Sequence, residues 1–294
     1  MARMEDSAFS YAAPEDPFLK RFVIRLIERA SGLTRLKEVY FATQRDYATG
    51  GDFWASAVAK LQLDVRYDAE ALSRIPKQGP LVVVANHPYG VVDGVVMCAL
   101  MKQVRPDFVV LTNAVLMKAP EVREFVLPID FSETPEARET NLKSRAEARV
   151  RLDKGGAVVV FPAGAVSTSP DRWGRRPAVD WPWQPFVAQL VQRSLATVAP
   201  IWFGGQNSRL FQIVSHMSLT LRLALLFHEV NRLIGATIDV EIGAPVPFER
   251  LAVFKDRQTL AMHLRALTYA LAPKTEDVAD AAATDEVAYP VWRA

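Results

Sequence analysis

Two Val-rich runs, "LVVVA" at 81–85 and "AVVVF" at 157–161, constrain this chain more than any other feature. Neither alternates apolar with polar residues, so each reads as a strand covered on both faces, the mark of a sheet enclosed by helices. Other β-rich runs share the pattern: "LDVRY" (63–67), "FVVLT" (108–112), "FVLPID" (125–130), "ATVAPIWF" (196–203) and "TIDVEIG" (237–243). Helical patterns fall between and after them, at 93–104, 136–153, 184–194, 208–233 and 257–271. The expected class is α/β, a central, mostly parallel or mixed sheet flanked by helices, with an N-terminal helical extension.

The main domain is expected at 63–272, after a helical extension at 1–62 and before a loosely ordered, Ala- and acid-rich tail at 273–294. In the extension, "PFLKRFVIRLIERASGL" from residue 17 sets Phe18, Phe22 and Leu26 against Lys20, Arg21 and Arg25. Its basic face would lie either on anionic lipid or in solvent with the helix packed on the main domain. "GGDFWASAVAKLQL" reads as a second helix. The nearest approach to a membrane span, "SLTLRLALLF" at 218–227, is interrupted by Arg222 and reads as a core or an interfacial helix. Without a span or a signal-peptide core, the expected location is cytoplasmic, peripheral on the inner face of the cell membrane. The 35 basic and 33 acidic residues nearly cancel, so no nucleic-acid partner is expected. One cysteine, Cys98 in "VVMCALM", reads as a buried thiol in a reducing compartment.

In sheets of this class ligands sit beyond the carboxyl ends of strands, where two unusual loops occur: "NHPYGVVDG" (86–94) and "PAGAVSTSP" (162–170). His87, held between Asn86 and Pro88, is displayed as a candidate general base. Asp93, six positions on, would orient the imidazole, cap the following helix, or do both. His216, His228 and His263 are isolated and no Cys cluster exists, so no metal is expected. No G-x-S-x-G occurs, which leaves Ser167 as a loop hydrogen-bonder first and a nucleophile second. In "FPAGAVSTSPDRWGRRP", Pro162 and Gly164 turn the chain, and Gly164 would let backbone N–H groups approach a substrate. Arg172, Arg175 and Arg176 would hold a phosphate or carboxylate, or simply be solvated. Trp181 and Trp183 in "DWPWQP" read either as a membrane-facing rim or as core.

N-H-P-Y-G at 86–90 with Asp93, followed by F-P-A-G at 161–164, resembles the signatures of the glycerolipid (lysophospholipid) acyltransferase family. It is especially similar to the hemolysin-like, ornithine-lipid-type branch, where an extra residue precedes the Asp. The likeness runs from about residue 75 to 250, with Pro200 in "VAPIW" at the fourth signature's proline. The resemblance implies that His87 deprotonates an acceptor, which attacks an acyl thioester, while Asp93 orients the ring. It further implies a substrate site drawn from the motif residues Asn86, Tyr89, Gly90, Phe161, Pro162 and Gly164, to which the residue reading adds Ser167, Arg172, Arg175 and Arg176 as substrate-binding candidates. The implied partners are acyl-carrier protein or acyl-CoA as donor, a lyso-lipid acceptor and a membrane surface, with no cofactor besides the donor. Four departures qualify it: five residues instead of four between His87 and Asp93, Ala163 in place of Glu, Asp130 near the second signature's arginine, and no arginine after F-P-A-G. The lost arginines imply an amine or zwitterionic head group, or replacement by Arg172, Arg175 and Arg176. Two rival readings are a lipid or thioester hydrolase and a non-catalytic lipid-binding relative.

Overall fold

The two Val-rich runs lie side by side in the computed structural model, which describes residues 32–132 and 134–273. In chain order the first half comprises α1 (Leu33–Ala48), α2 (Phe53–Lys60), β1 (Asp64–Arg66), α3 (Ala69–Ser73), β2 (Leu81–Ala85), α4 (Val91–Val104) and β3 (Phe108–Asn113). Two short 3-10 turns, Ala114–Lys118 and Pro120–Phe125, lead to β4 (Val126–Ile129), α5 (Pro135–Asp153) and β5 (Ala157–Val160). Then come α6 (Pro185–Ser194), β6 (Thr197–Phe203), α7 (Arg209–Ser215), α8 (Leu219–Arg232), β7 (Thr237–Ile242), α9 (Phe248–Leu251) and α10 (Arg257–Tyr269).

All seven expected strands form one sheet, in the order β1-β7-β6-β2-β5-β3-β4. β2 pairs in parallel with β5 and with β6, so it runs through the centre. The sheet is mixed because β7 runs antiparallel to β6. Along β2 the period of two divides the core: Leu81, Val83 and Ala85 face α2 and α4, and Val82 and Val84 face α5, α6 and α10. Each such buried Val or Leu contributes about 1.5–3 kcal/mol, which is why this strand has no polar face.

Side-chain caps start the helices. Asp52, Asp68, Thr134, Ser208, Ser218 and Asp256 each accept a backbone N–H of the turn they precede. One of them divides the helix expected at 208–233. Ser218 caps α8, and the His216 ring bonds the Ser169 carbonyl oxygen at 2.8 Å, so the segment bends into α7 and α8. Arg222, the interruption in "SLTLRLALLF", is buried on α8. α1 falls inside the helical extension expected at 1–62, whereas α3, α9 and the 3-10 turns were not expected. Phe53, Trp54 and Leu61, assigned to the extension, pack in the same core as β2. The helix expected from residue 17 and the tail beyond 273 lie outside the described residues. Among the described residues no helix is long and apolar enough to cross a membrane.

Candidate active site

The site begins where β2 stops pairing. Asn86, buried just past the strand, donates its Nδ2 to the Phe203 carbonyl at 2.9 Å and accepts the Phe203 N–H at 2.7 Å, clamping the loop onto the end of β6. His87 then leaves the sheet edge. Its ring stacks on Phe161 with centroids 4.1 Å apart and planes 29° apart. Nδ1 lies 3.0 Å from Asp93 Oδ1. That contact is an ion-pair distance without hydrogen-bond alignment of the ring N–H, and contacts of this kind tighten when substrate binds.

Asp93 serves the helix and the histidine together. Its Oδ2 accepts the N–H groups of Tyr89 at 2.9 Å and Gly90 at 3.3 Å, and its Oδ1 accepts that of Gly94 at 2.9 Å. The carboxylate is fully buried at the N-terminus of α4, where the helix dipole favours negative charge. The turn that accommodates the fifth intervening residue passes through Gly90 at φ 84°, a left-handed conformation that an L side chain rarely adopts. A Cβ there would also meet Val166 Cγ2 at 3.0 Å.

Sequence reasoning missed the residue beneath this loop, Asp180. Its Oδ1 accepts the His87 N–H at 3.1 Å and the Ser167 hydroxyl at 2.6 Å, and its Oδ2 accepts the Trp183 indole N–H at 2.8 Å. The Ser167 N–H donates to the His87 carbonyl at 2.8 Å, so the histidine's backbone is held at both ends. Arg265 and Tyr269 of α10 bond the Asp180 backbone in turn. Burial pushes the Asp180 carboxyl up, against the pull of Ser167, Trp183 and the His87 N–H. The available signal was a lone aspartate inside "AVDWPW", which drew notice only for its tryptophans.

Other expected site residues fall into three places. Pro162 and Tyr89 are buried, Tyr89 with its hydroxyl against Gly205. Gly164 is exposed at φ 68°, and its amide donates to the Phe161 carbonyl at 3.1 Å, so it closes the turn and is not free for a substrate oxygen. Arg172, Arg175 and Arg176 are exposed on a loop organised by Asp171. Burial opposes ionisation of Asp171, but the N–H groups of Arg176, Trp173 and Arg175 outweigh it and hold the carboxyl at about 2. The membrane-rim reading of Trp181 and Trp183 is corrected: they are 1% and 0% exposed, because their rings fill the layer under the His87 loop and β5. Trp173 is the exposed one of this region. Arg222 reaches from α8 into the same loop, donating to Thr168 Oγ1 at 2.7 Å and to the Val166 carbonyl.

The chain is similar to known proteins along most of its length. A family model described as "Acyltransferase" matches residues 50–273. A lyso-glycine lipid O-acyltransferase of Phocaeicola vulgatus is 23% identical over 261 residues, 86% of this chain and 89% of that protein. One of the same name from Bacteroides thetaiotaomicron is 24% identical over 216 residues, 71% of this chain and 76% of that protein. Among solved structures, the 1-acyl-sn-glycerophosphate (LPA) acyltransferase PlsC of Thermotoga maritima covers 91% of this chain and 85% of its own at 17% identity, with a TM-score of 0.45.

Proposed function

The chain belongs to the acyltransferase family, and from that premise we propose that it moves a fatty acyl chain from acyl-CoA or acyl-carrier protein to the hydroxyl of a lyso-lipid. The observation that carries this reading is the His87–Asp93 contact at the sheet edge, with Nδ1 of the partly exposed ring 3.0 Å from a buried carboxylate. His87 Nε2 takes the acceptor's hydroxyl proton as its oxygen attacks the thioester carbonyl. A C–O bond forms, the tetrahedral oxyanion collapses, the C–S bond breaks, and the imidazolium returns the proton to the leaving sulfur. The Asp93 carboxylate, facing Nδ1, stabilises the imidazolium.

No covalent acyl-enzyme is needed. Ser167 spends its hydroxyl on Asp180 and Cys98 is buried, which favours direct transfer. The acceptor is an amino-acid-headed lyso-lipid. The names of the two relatives support this, as does Asp130, which bonds Ser132 where a phosphate-holding arginine would be expected. The protein works peripherally at the inner face of the cell membrane, where such a lipid and a cytoplasmic thioester meet.

His87→Ala tests the proposal. With the fold retained by circular dichroism, transfer falls by roughly two orders of magnitude or more, and unchanged transfer would remove the base. Product analysis separates the rival reaction, because free fatty acid released without consumption of lyso-lipid means hydrolysis.

A further inference from the structure

α7 inverts the ordinary burial pattern. Its inner side is made by Phe211, Gln212 and Ser215, two of them polar. Both polar groups are satisfied there: Gln212 Oε1 accepts the Ser169 N–H at 2.9 Å, and the Ser215 hydroxyl donates to the Phe211 carbonyl at 2.6 Å. The outer side is apolar. Leu210 is 53% exposed and Met217, just past the helix end, is 70% exposed, with partly exposed Val214 between them and exposed Leu219 beyond. Trp173, 50% exposed, adjoins this corner because Arg209 Nε donates to its carbonyl at 2.9 Å.

The charge around the corner is one-sided. The corner's acidic neighbours point inward: Asp180 and Glu229, which bonds the α7 cap Ser208, are buried, as is Arg222. Asp171 turns its carboxylate to the N–H groups of Trp173, Arg175 and Arg176. Arg172, Arg175, Arg176 and Arg209 are exposed beside the apolar side chains.

We propose that this corner, the outer face of α7 with Trp173 and its arginines, lies on an anionic phospholipid bilayer. Aliphatic side chains and an indole enter the boundary between head groups and acyl chains, while guanidinium groups meet lipid phosphates. A bilayer takes up the leucine, methionine and indole side chains and at the same time offers a phosphate to each of the four exposed guanidinium groups, and that joint apolar and cationic character favours it as the partner. The corner is tied to the loop that holds the His87 backbone, since Ser169 bonds both Gln212 and His216 two residues after Ser167, whose N–H donates to the His87 carbonyl. The inference deepens the proposed lipid acylation and rests on that reading for its purpose only.

The test is sedimentation of the full chain with phosphatidylglycerol-containing vesicles, against phosphatidylcholine alone. Wild type sediments with the anionic vesicles, and the doubly substituted Leu210→Ser, Met217→Ser protein binds them roughly tenfold or more weakly, as expected for two large apolar groups left in water. Its unfolding midpoint and its turnover on detergent-dispersed lyso-lipid are unchanged. Vesicles shift wild-type tryptophan emission to the blue, and Trp173→Phe loses that shift. Undiminished vesicle binding by the double variant overturns the proposal. So does a raised KM for acyl-carrier protein with vesicle binding intact, which would make the corner a protein surface. A dimeric wild type beside a monomeric variant would make it a self-association face and overturn it likewise. Loss of vesicle binding together with wild-type inactivity on any dispersed acceptor leaves the docking surface standing and removes the acylation reading instead.

Discussion

At the scale of single residues the site depends on two buried carboxylates with different duties. An ionised carboxylate taken out of water is costly unless hydrogen bonds replace its hydration. Asp93 recovers that cost from the N–H groups that begin α4, so the bonds that start a helix also hold the charge facing His87. Asp180 is surrounded by donors: the His87 N–H, the Ser167 hydroxyl and the Trp183 indole. Asp180→Asn must turn a donor toward one of these donors, leaving a buried pair unmade at about 1–3 kcal/mol. The expected outcome is a lower urea midpoint and a kcat reduced roughly tenfold or more with KM little changed, because a misplaced base loses orientation before affinity. A kcat equal to wild type at full folding would show that the Asp180 bonds do not position His87.

At the scale of elements, the link between β6 and α7 bears on the histidine loop through one close approach. A Cβ on Gly205, at φ 86°, would stand 2.0 Å from the Tyr89 hydroxyl, and Tyr89 is two residues from His87. Gly235, at φ 81°, has open space where a Cβ would go. Both Gly→Ala changes incur backbone strain of about 1 kcal/mol or more, and only Gly205→Ala adds a clash. Denaturant melts should therefore rank Gly205→Ala as the less stable of the two, and it alone should lose acyl transfer. Equal midpoints would mean that Tyr89 moves aside at no cost.

At the scale of the whole molecule, α4 packs its buried face into the core on one side of the sheet. Cys98 lies within it, and burial raises its thiol pKa, so the nucleophilic thiolate is suppressed twice over. An aromatic disulfide reagent should label Cys98 only as fast as the protein unfolds globally, with rates rising along the denaturant curve. Rapid labelling in native buffer would mean that α4, which carries both Asp93 and Cys98, opens locally.

Much of this architecture was readable from local pattern. Unbroken Val runs mean two covered faces whatever surrounds them, and a histidine directly after such a run sits at a strand end, so the strands, the α/β class and the His87 loop follow from residues close in sequence. The sequence also left Asp93 between capping and orienting; the structure shows the capping bonds and sets the carboxylate 3.0 Å from the His87 ring. Tertiary structure alone decided the rest. Asp180 bonds the His87 N–H across 93 residues of chain, Arg222 became an internal strut of the 162–170 loop, and the buried tryptophans were Trp181 and Trp183 while Trp173 stayed outside. Composition and period state how apolar a segment is and how often its side chains return to one face. Which face meets protein and which meets solvent or lipid is set by what packs against it, and α7, with its glutamine and serine inward and its leucine outward, shows that period alone leaves that choice open.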